Sequence, residues 1–310
     1  MANFILAAFV VVVASSSASA QYTDRAGLSA APAAETVHTQ RRDRDGKVHD
    51  EVHQRPTQRD SYGNAATSNY DLAVDGAFSG QTILVVDLYR QPFQHATEAL
   101  RQKGFSVVRY QQAPSPDKLA ELLAKSNQFW LLASCDNTRY LGPAHHAVIK
   151  TFFDAGHGVY VWGDNDPCNA DADALAKTLV GARVHGDLPG DQVVGMSKGR
   201  GLAGLVPNLL ITTGLEYVYE GITVATVTPS QGMTPVVYGS AGNLVTAAYE
   251  LDHKRLLVDG GYTRLDYKWD TAGTGRYVKN AAAWLANYER FGQKVVVSER
   301  LGNHSIPIAR

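Results

Sequence analysis

From Gly80 onward the chain alternates between unbroken apolar runs and segments whose apolar residues recur three and four positions apart. Gln81–Val86 (QTILVV) is continuous and rich in β-branched residues, the pattern of a strand buried on both faces, and it stops at Asp87. His95–Lys103 reads as a helix halted by Gly104, Phe105–Tyr110 as a second strand, and Pro116–Lys125 as a helix opened by Ser115-Pro116-Asp117. Phe129–Ala133 predicts a third strand, Pro143–Ala155 a helix ending at Gly156, and Gly158–Trp162 a fourth strand. Strands that alternate with helices of this length imply parallel pairing and right-handed crossovers. The expected fold class is therefore α/β, a doubly wound three-layer sandwich with a mostly parallel sheet. A helix over Ala170–Leu179 follows, then a Gly-rich stretch over Val193–Leu205. Further strand candidates are Ile222–Val227, Pro235–Tyr238, Asn243–Tyr249 and Arg255–Val258, some of them antiparallel additions. Tyr277–Tyr288 closes the domain as a helix with Val278, Ala281, Ala282 and Leu285 on one face.

The first eighty residues follow other patterns. Phe4–Val13 is an apolar run of ten, too short to cross a bilayer, and the small residues ASSSASA follow it. Ala18 and Ala20 supply an A-x-A cleavage site, so residues 1–20 read as a signal peptide and Gln21 as the mature N-terminus. The expected location is secreted or extracellular, or periplasmic in a bacterium, with no membrane span after cleavage. Residues 21–79 mix both charge signs with few large aliphatic side chains, which predicts a disordered polar tail or pro-segment. Within it, Arg41-Arg42 offers a dibasic processing site, and His38, His49 and His53 offer scattered metal ligands. The folded domain is expected over residues 80–290 and a C-terminal tail over 291–310, where Asn303-His304-Ser305 is a glycosylation sequon.

Charge and cysteine content narrow the function classes. Lys and Arg number 29 against 30 Asp and Glu, so no global field attracts nucleic acid. With 45% hydrophobic and 19% charged residues the composition is globular, and 2 Cys cannot build a disulfide miniprotein. An ordinary apolar core must hold the fold.

Four segments carry a family likeness: ILVVD ending at Asp87, FWLLAS ending at Ser134, IKTFFDAGHGVYVWGDN over residues 149–165, and RLLVDGGYTRL with GRYVKNAAAWLAN near the C-terminus. In these the chain resembles the class I glutamine amidotransferase-like superfamily, in particular its divergent ThuA-like branch. The resemblance implies a flavodoxin-like or amidotransferase-like sandwich over roughly Gly80 to Asn287. It also implies a G-x-C-x-G elbow, in which a Cys sits on a tight turn between strand and helix. Here the matching turn reads Val161-Trp162-Gly163-Asp164-Asn165, without the elbow Cys. The family's His-x-Glu pair is absent too, since the C-terminal third holds only His253 and His304. Glutamine hydrolysis at the family's usual position is therefore not expected.

Ligands of doubly wound sheets bind beyond the carboxyl ends of the strands. The residues found there are Asp87, Tyr89 and Arg90 after the first strand, Cys135, Asp136 and Asn137 after the third, and Asp164, Asn165 and Asp166 after the fourth. Asp87, Arg90, Asp136, Asp164 and Asp166 are the ligand-binding candidates among them, joined by Arg264 in the loop Asp259–Asp266, where two glycines allow close approach of an anion. Asp164, Asp166 and Asp171 could instead supply oxygens to a Ca²⁺ ion, or simply cap turns. Cys135 and Cys168 each follow one of two neighbouring strands, which favours a disulfide in an oxidising compartment; alternatively Cys168, near a helix start, is a thiolate nucleophile. His145 and His146 are adjacent on a helix and cannot ligate one metal together.

Two functions follow as expectations. The first is a secreted amidotransferase-like domain without its nucleophile, a non-catalytic ligand-binding or scaffold protein whose partner is a small polar ligand or an extracellular protein. The second is a hydrolase of amide, ester or carbohydrate-derived substrates that uses Cys168 or acidic residues. No cofactor is expected, apart from a Ca²⁺ ion that the strand-end carboxylates could hold.

Overall fold

The computed structural model describes residues 22–199, 201–269 and 271–291. Along the chain lie β1 (Ala34–Arg42), β2 (Val48–Pro56), β3 (Thr82–Asp87), α1 (Gln94–Gln102), β4 (Ser106–Tyr110), α2 (Pro116–Leu123), β5 (Gln128–Leu132), α3 (Pro143–Asp154), β6 (Gly158–Trp162) and α4 (Ala170–Val180). The second half adds β7 (Arg183–Pro189), β8 (Val193–Val194), β9 (Gly204–Leu205), β10 (Val218–Tyr219), β11 (Thr223–Thr228), β12 (Met233–Tyr238), β13 (Leu244–Leu251), β14 (Lys254–Asp259), α5 (Thr274–Leu285) and α6 (Tyr288–Phe291).

One eight-stranded sheet organises these elements in the order β4-β3-β5-β6-β14-β13-β12-β9. Pairing is parallel from β4 through β14 and antiparallel beyond it. The apolar runs occupy the central positions because helices cover both faces: every residue of β3, β5 and β6 is buried. Leu100 of α1 and Tyr277, Ala281 and Leu285 of α5 pack on one face. Leu119 of α2, Ile149 of α3 and Leu175 of α4 pack on the other. Each fully buried aliphatic side chain contributes about 1.5–3 kcal/mol, so these two layers dominate the stability of the domain. The three-layer α/β architecture read from the sequence is the one observed.

Local departures have local causes. The strand expected at Ile222–Val227 forms as β11, but it pairs with β7 in a separate antiparallel ribbon. The helix expected at Tyr277–Tyr288 forms as α5, which starts three residues early, at Thr274, behind Gly273 at φ +66°, and ends before Asn287. Asn287 breaks it by turning its amide onto the carbonyls of Gly156 (2.8 Å) and His253 (2.7 Å).

The segment 21–79 needs a larger correction, because its described residues 22–79 are ordered. β1 and β2 form a hairpin across Asp43–Lys47, where the Asp43 carboxylate accepts from the amides of Asp45 (3.0 Å) and Lys47 (2.9 Å). Nearly all of its side chains face solvent. Further along, Leu72 and Phe78 enter the core, and Phe78 stacks on Phe105 at 4.6 Å. Asp71, wholly buried, meets three cations of the α/β body: Arg276 (2.7 Å), Lys279 (2.7 Å) and Lys103 (2.9 Å). A few well-placed residues anchor the segment, and composition averaged over sixty positions conceals them. Gly104, at φ +97°, is required at this junction, since a Cβ there would lie 2.7 Å from the Ser79 amide nitrogen. Asn303 and the signal-like residues 1–20 lie outside the described residues.

Candidate ligand site at the carboxyl edge of the sheet

β6 and β14 run side by side in parallel with Trp162 opposite Asp259, and the loops that leave them are tied together. The Gly163 amide donates to the Asp259 carbonyl (2.8 Å), and the Tyr262 amide donates to the Gly163 carbonyl (3.3 Å). The Asp259 side chain is the hub of the edge. Its Oδ2 accepts from Tyr277 (2.6 Å), Thr246 (3.0 Å) and Tyr160 (3.2 Å), and its Oδ1 from Arg264 (2.8 Å) and the Gly261 amide (2.9 Å). Burial, reinforced by the neighbouring charge of Asp259, pushes the Tyr277 hydroxyl far above the ordinary range, so it stays a donor.

Arg264 is fully buried across this hub. Its Nε donates to the Gly261 carbonyl (3.1 Å), and its guanidinium lies over the rings of Tyr277 (5.2 Å) and Trp162 (5.8 Å). Nη1 has no hydrogen-bond partner among the described residues. Arg264 is thus the counter-ion of Asp259 with one face of the guanidinium left over, a more constrained position than the free anion ligand its loop suggests.

Asp164 occupies the elbow turn after β6 and is 1% exposed. Burial pushes its carboxyl up to about 8, offset only in part by the Asn165 amide and the charge of Arg264. At neutral pH the group is therefore protonated and can donate a hydrogen bond. Its Oδ1 also lacks a partner among the described residues. Opposite, Tyr262 stacks on Tyr89 at 4.1 Å, and burial followed by the Asp164 charge raises Tyr89 to about 12. The Tyr262 hydroxyl and the Trp162 indole nitrogen are buried and likewise have no partner among the described residues. Four orphaned polar atoms thus come from two adjacent strand ends. Buried polar groups are normally satisfied, so each of these atoms calls for a partner that the described residues do not supply.

The other candidates have separate duties. Asp87 pairs with Arg109, whose Nε lies at 2.9 Å and whose Nη2 makes a second contact. Arg90 donates its amide to Asp87 (2.8 Å) and its Nε to the Gln111 carbonyl (3.1 Å), on the exposed surface. Asp136 accepts from the Tyr140 hydroxyl (2.5 Å) and the Thr138 amide (3.0 Å) in a surface turn. Asp166 accepts from Asn169 (2.5 Å) and the Gly186 amide (3.1 Å), while Asp171 accepts from the amides of Leu141 (2.9 Å) and Tyr140 (3.2 Å). Asp164, Asp166 and Asp171 therefore do not share a centre, and among the described residues no three His, Cys, Asp or Glu side chains are grouped to hold a metal ion. His145 accepts from the Gly142 amide (3.2 Å) at the start of α3, and His146 bonds Thr178 (3.1 Å), so neither faces the edge.

Cys135 and Cys168 form a disulfide that joins the loop after β5 to the loop after β6. The thiolate reading of Cys168 is corrected by this bond, because both thiols of the chain are consumed. Tyr160, Tyr277, Thr246 and Asp259 were not singled out as site residues in the sequence. Tyr160 reads as a strand residue and Tyr277 as a helix residue, and only the paired register of β6 and β14 brings them onto one carboxylate.

The sequence matches no protein-family model and no curated protein. Among solved structures it is similar to a putative GMP synthase subunit from Thermoplasma acidophilum, with 12% identity and a TM-score of 0.41, over 69% of this chain and 98% of that one. It is also similar to PurLQS from Thermotoga maritima, with 11% identity and a TM-score of 0.39, over 66% of this chain and 99% of the other. A third likeness is to the exo-β-1,4-mannosidase Op5Man5 from Opitutaceae bacterium strain TAV5, with 13% identity and a TM-score of 0.37, over 69% of this chain and 36% of that one.

Proposed function

We propose that the protein is a secreted binder of a small polar ligand, held at the carboxyl edge of the sheet by Asp164, Arg264, Tyr262 and Trp162. The observation that carries this reading is the cluster of unpartnered buried polar atoms on those four residues. Three of them, the indole, the phenol and the guanidinium, are donors, and protonated Asp164 is a fourth. A donor-rich edge suits a ligand that presents carbonyl or carboxylate oxygens. The Cys135–Cys168 disulfide supports an oxidising, extracytoplasmic location and leaves no thiolate to act as nucleophile. Among the described residues no helix is long and apolar enough to cross a membrane.

The test is a thermal-shift panel of small carboxylic acids, amides and sugars, run at pH 6 and pH 9 on the wild type and on Asp164→Asn. At least one chemical class is expected to raise Tm at pH 6, with the gain lost at pH 9 as Asp164 ionises. A panel without any shift, or a shift indifferent to both pH and the substitution, would contradict the reading.

A second reading rests on the same carboxyl. A protonated Asp164 has the form of a general acid, which suits hydrolysis of amide, ester or carbohydrate-derived substrates. Turnover of such a substrate that vanishes in Asp164→Asn and declines above pH ~8 would place this reading first.

A further inference from the structure

The β1–β2 hairpin stands apart from the layers that hold the rest of the chain. Among the described residues its strands pair with each other and join no other sheet. From His38 to Pro56 every residue is exposed except the half-buried Asp43 and Glu51. A two-stranded ribbon that buries no apolar face is marginally stable by itself, so its outer half opens far more readily than the α/β body. The tip carries Arg41-Arg42-Asp43-Arg44-Asp45-Gly46-Lys47. Arg41 is tied across the ribbon to Glu51 (3.4 Å), whereas the side chains of Arg42 and Arg44 have no partner among the described residues.

The base of the ribbon and the residues before it are held firmly. Glu35 accepts from Arg55 (2.8 Å) and from the Tyr70 hydroxyl (3.2 Å), and Thr57 Oγ1 donates to the Pro32 carbonyl (2.7 Å). Upstream of β1, the Thr23 amide donates to the Leu72 carbonyl (2.8 Å) and the Gly27 amide to Thr213 Oγ1 (2.9 Å). The Leu28 carbonyl accepts from the Gly214 amide (2.8 Å), and Ser29 bonds Thr212 (3.0 Å). Residues 22–42 are therefore attached to the body by bonds that do not pass through the tip.

We propose that the hairpin tip is a processing site for an endoprotease that reads a basic residue before the scissile bond, and that the cut falls after Arg42 or Arg44. The step is a hydrolysis that consumes one water. The peptide C–N bond breaks, the arginine carbonyl carbon takes the water oxygen to become a carboxylate, and both water protons end on the aspartate nitrogen, which leaves as an ammonium group. Cys135 and Cys168 both lie in the larger piece, so no covalent link joins it to the smaller one. The product is a two-chain protein in which the N-terminal piece stays seated through the bonds of Thr23, Gly27, Leu28 and Ser29. The inference is independent of the ligand reading at the sheet edge.

Trypsin, which cleaves after Lys and Arg, is the probe. The full chain is digested with a trace of the enzyme, and the fragments are identified by mass and followed by size-exclusion chromatography. The first cut between residues 22 and 291 is expected after Arg42 or Arg44, because cleavage follows the population of the locally open form. The two pieces are expected to elute together at the volume of the uncut protein and to part only in denaturant. In a variant that combines Arg42→Gln with Arg44→Gln, both on exposed positions, this cut is expected to disappear while Tm is kept. An earlier cut elsewhere between those residues, pieces that separate in native buffer, or a digestion pattern that the two substitutions leave unchanged would each overturn the inference.

Discussion

Asp71 and Asp164 are both buried acids, and the molecule treats them in opposite ways. Asp71 lies where the N-terminal segment meets α1 and α5, with Arg276, Lys279 and Lys103 on its two oxygens. Burial would raise it, but the charges of Lys279, Arg276 and Lys103 hold it below its ordinary value. Asp164 at the sheet edge has no ion-pair partner among the described residues, and burial carries it up to about 8. One carboxylate is surrounded by charge that matches it, whereas the other has only the field of Arg264, and its Oδ1, like Arg264 Nη1, has no hydrogen-bond partner among the described residues. The contrast separates a group that holds the fold from one that the fold holds in readiness.

The comparison breaks most severely at Asp71. Replacing Asp71 by Asn leaves the buried cations Arg276 and Lys279 without their carboxylate, while Lys103 keeps Asp75 (2.6 Å), and the expected loss is about 3–5 kcal/mol in denaturant unfolding. A loss below about 1 kcal/mol would mean that the junction contributes little. Its folded pKa is depressed, so its stabilisation is present above the unfolded pKa and disappears as pH falls through the folded value. Acid should therefore release residues 22–79 first, visible as faster amide exchange in β1 and β2.

Asp164 carries the opposite sign. Its folded pKa is raised from 3.8 to about 8, so its contribution is full below pH ~4 and is lost as pH rises through about 8. Asp164→Asn should flatten this dependence and exceed the wild type at pH 9 by about 3 kcal/mol, after allowance for relaxation around the charge. Equal pH profiles for the two proteins would remove the distinction between the acids.

Smaller effects sharpen the picture. Cys135→Ser with Cys168→Ser is expected to cost about 2–3 kcal/mol by loosening the two loops around Asp164, with little change at the Asp71 junction. Intact mass after alkylation should show no label before reduction and two after it. Val52→Thr on the exposed hairpin should stay within about 0.5 kcal/mol of the wild type. A chelator should leave Tm unmoved, because Asp166 and Asp171 spend their oxygens on the Gly186, Leu141 and Tyr140 amides.

How far the sequence could be read followed from which interactions are periodic. β3, β5 and β6 were legible because strands buried on both faces write their pattern into consecutive residues, and Cys135 and Cys168 because they follow neighbouring strands. Asp164 was legible as the residue at an elbow turn. Its neighbour Asp259 was not, since their proximity depends on β14 entering the sheet beside β6 after a separation of nearly a hundred residues. The ordering of residues 22–79 was hidden for a related reason. Asp71 draws its partners from Lys103, Arg276 and Lys279, and no local window contains both sides of that cluster.

The central claim is that Asp164 is a neutral donor at physiological pH, and titration of its side-chain ¹³C carboxyl resonance, assigned by its loss in Asp164→Asn, tests that claim directly. The account predicts a single transition with a midpoint near 8. A carboxyl already ionised at pH 6 would contradict it.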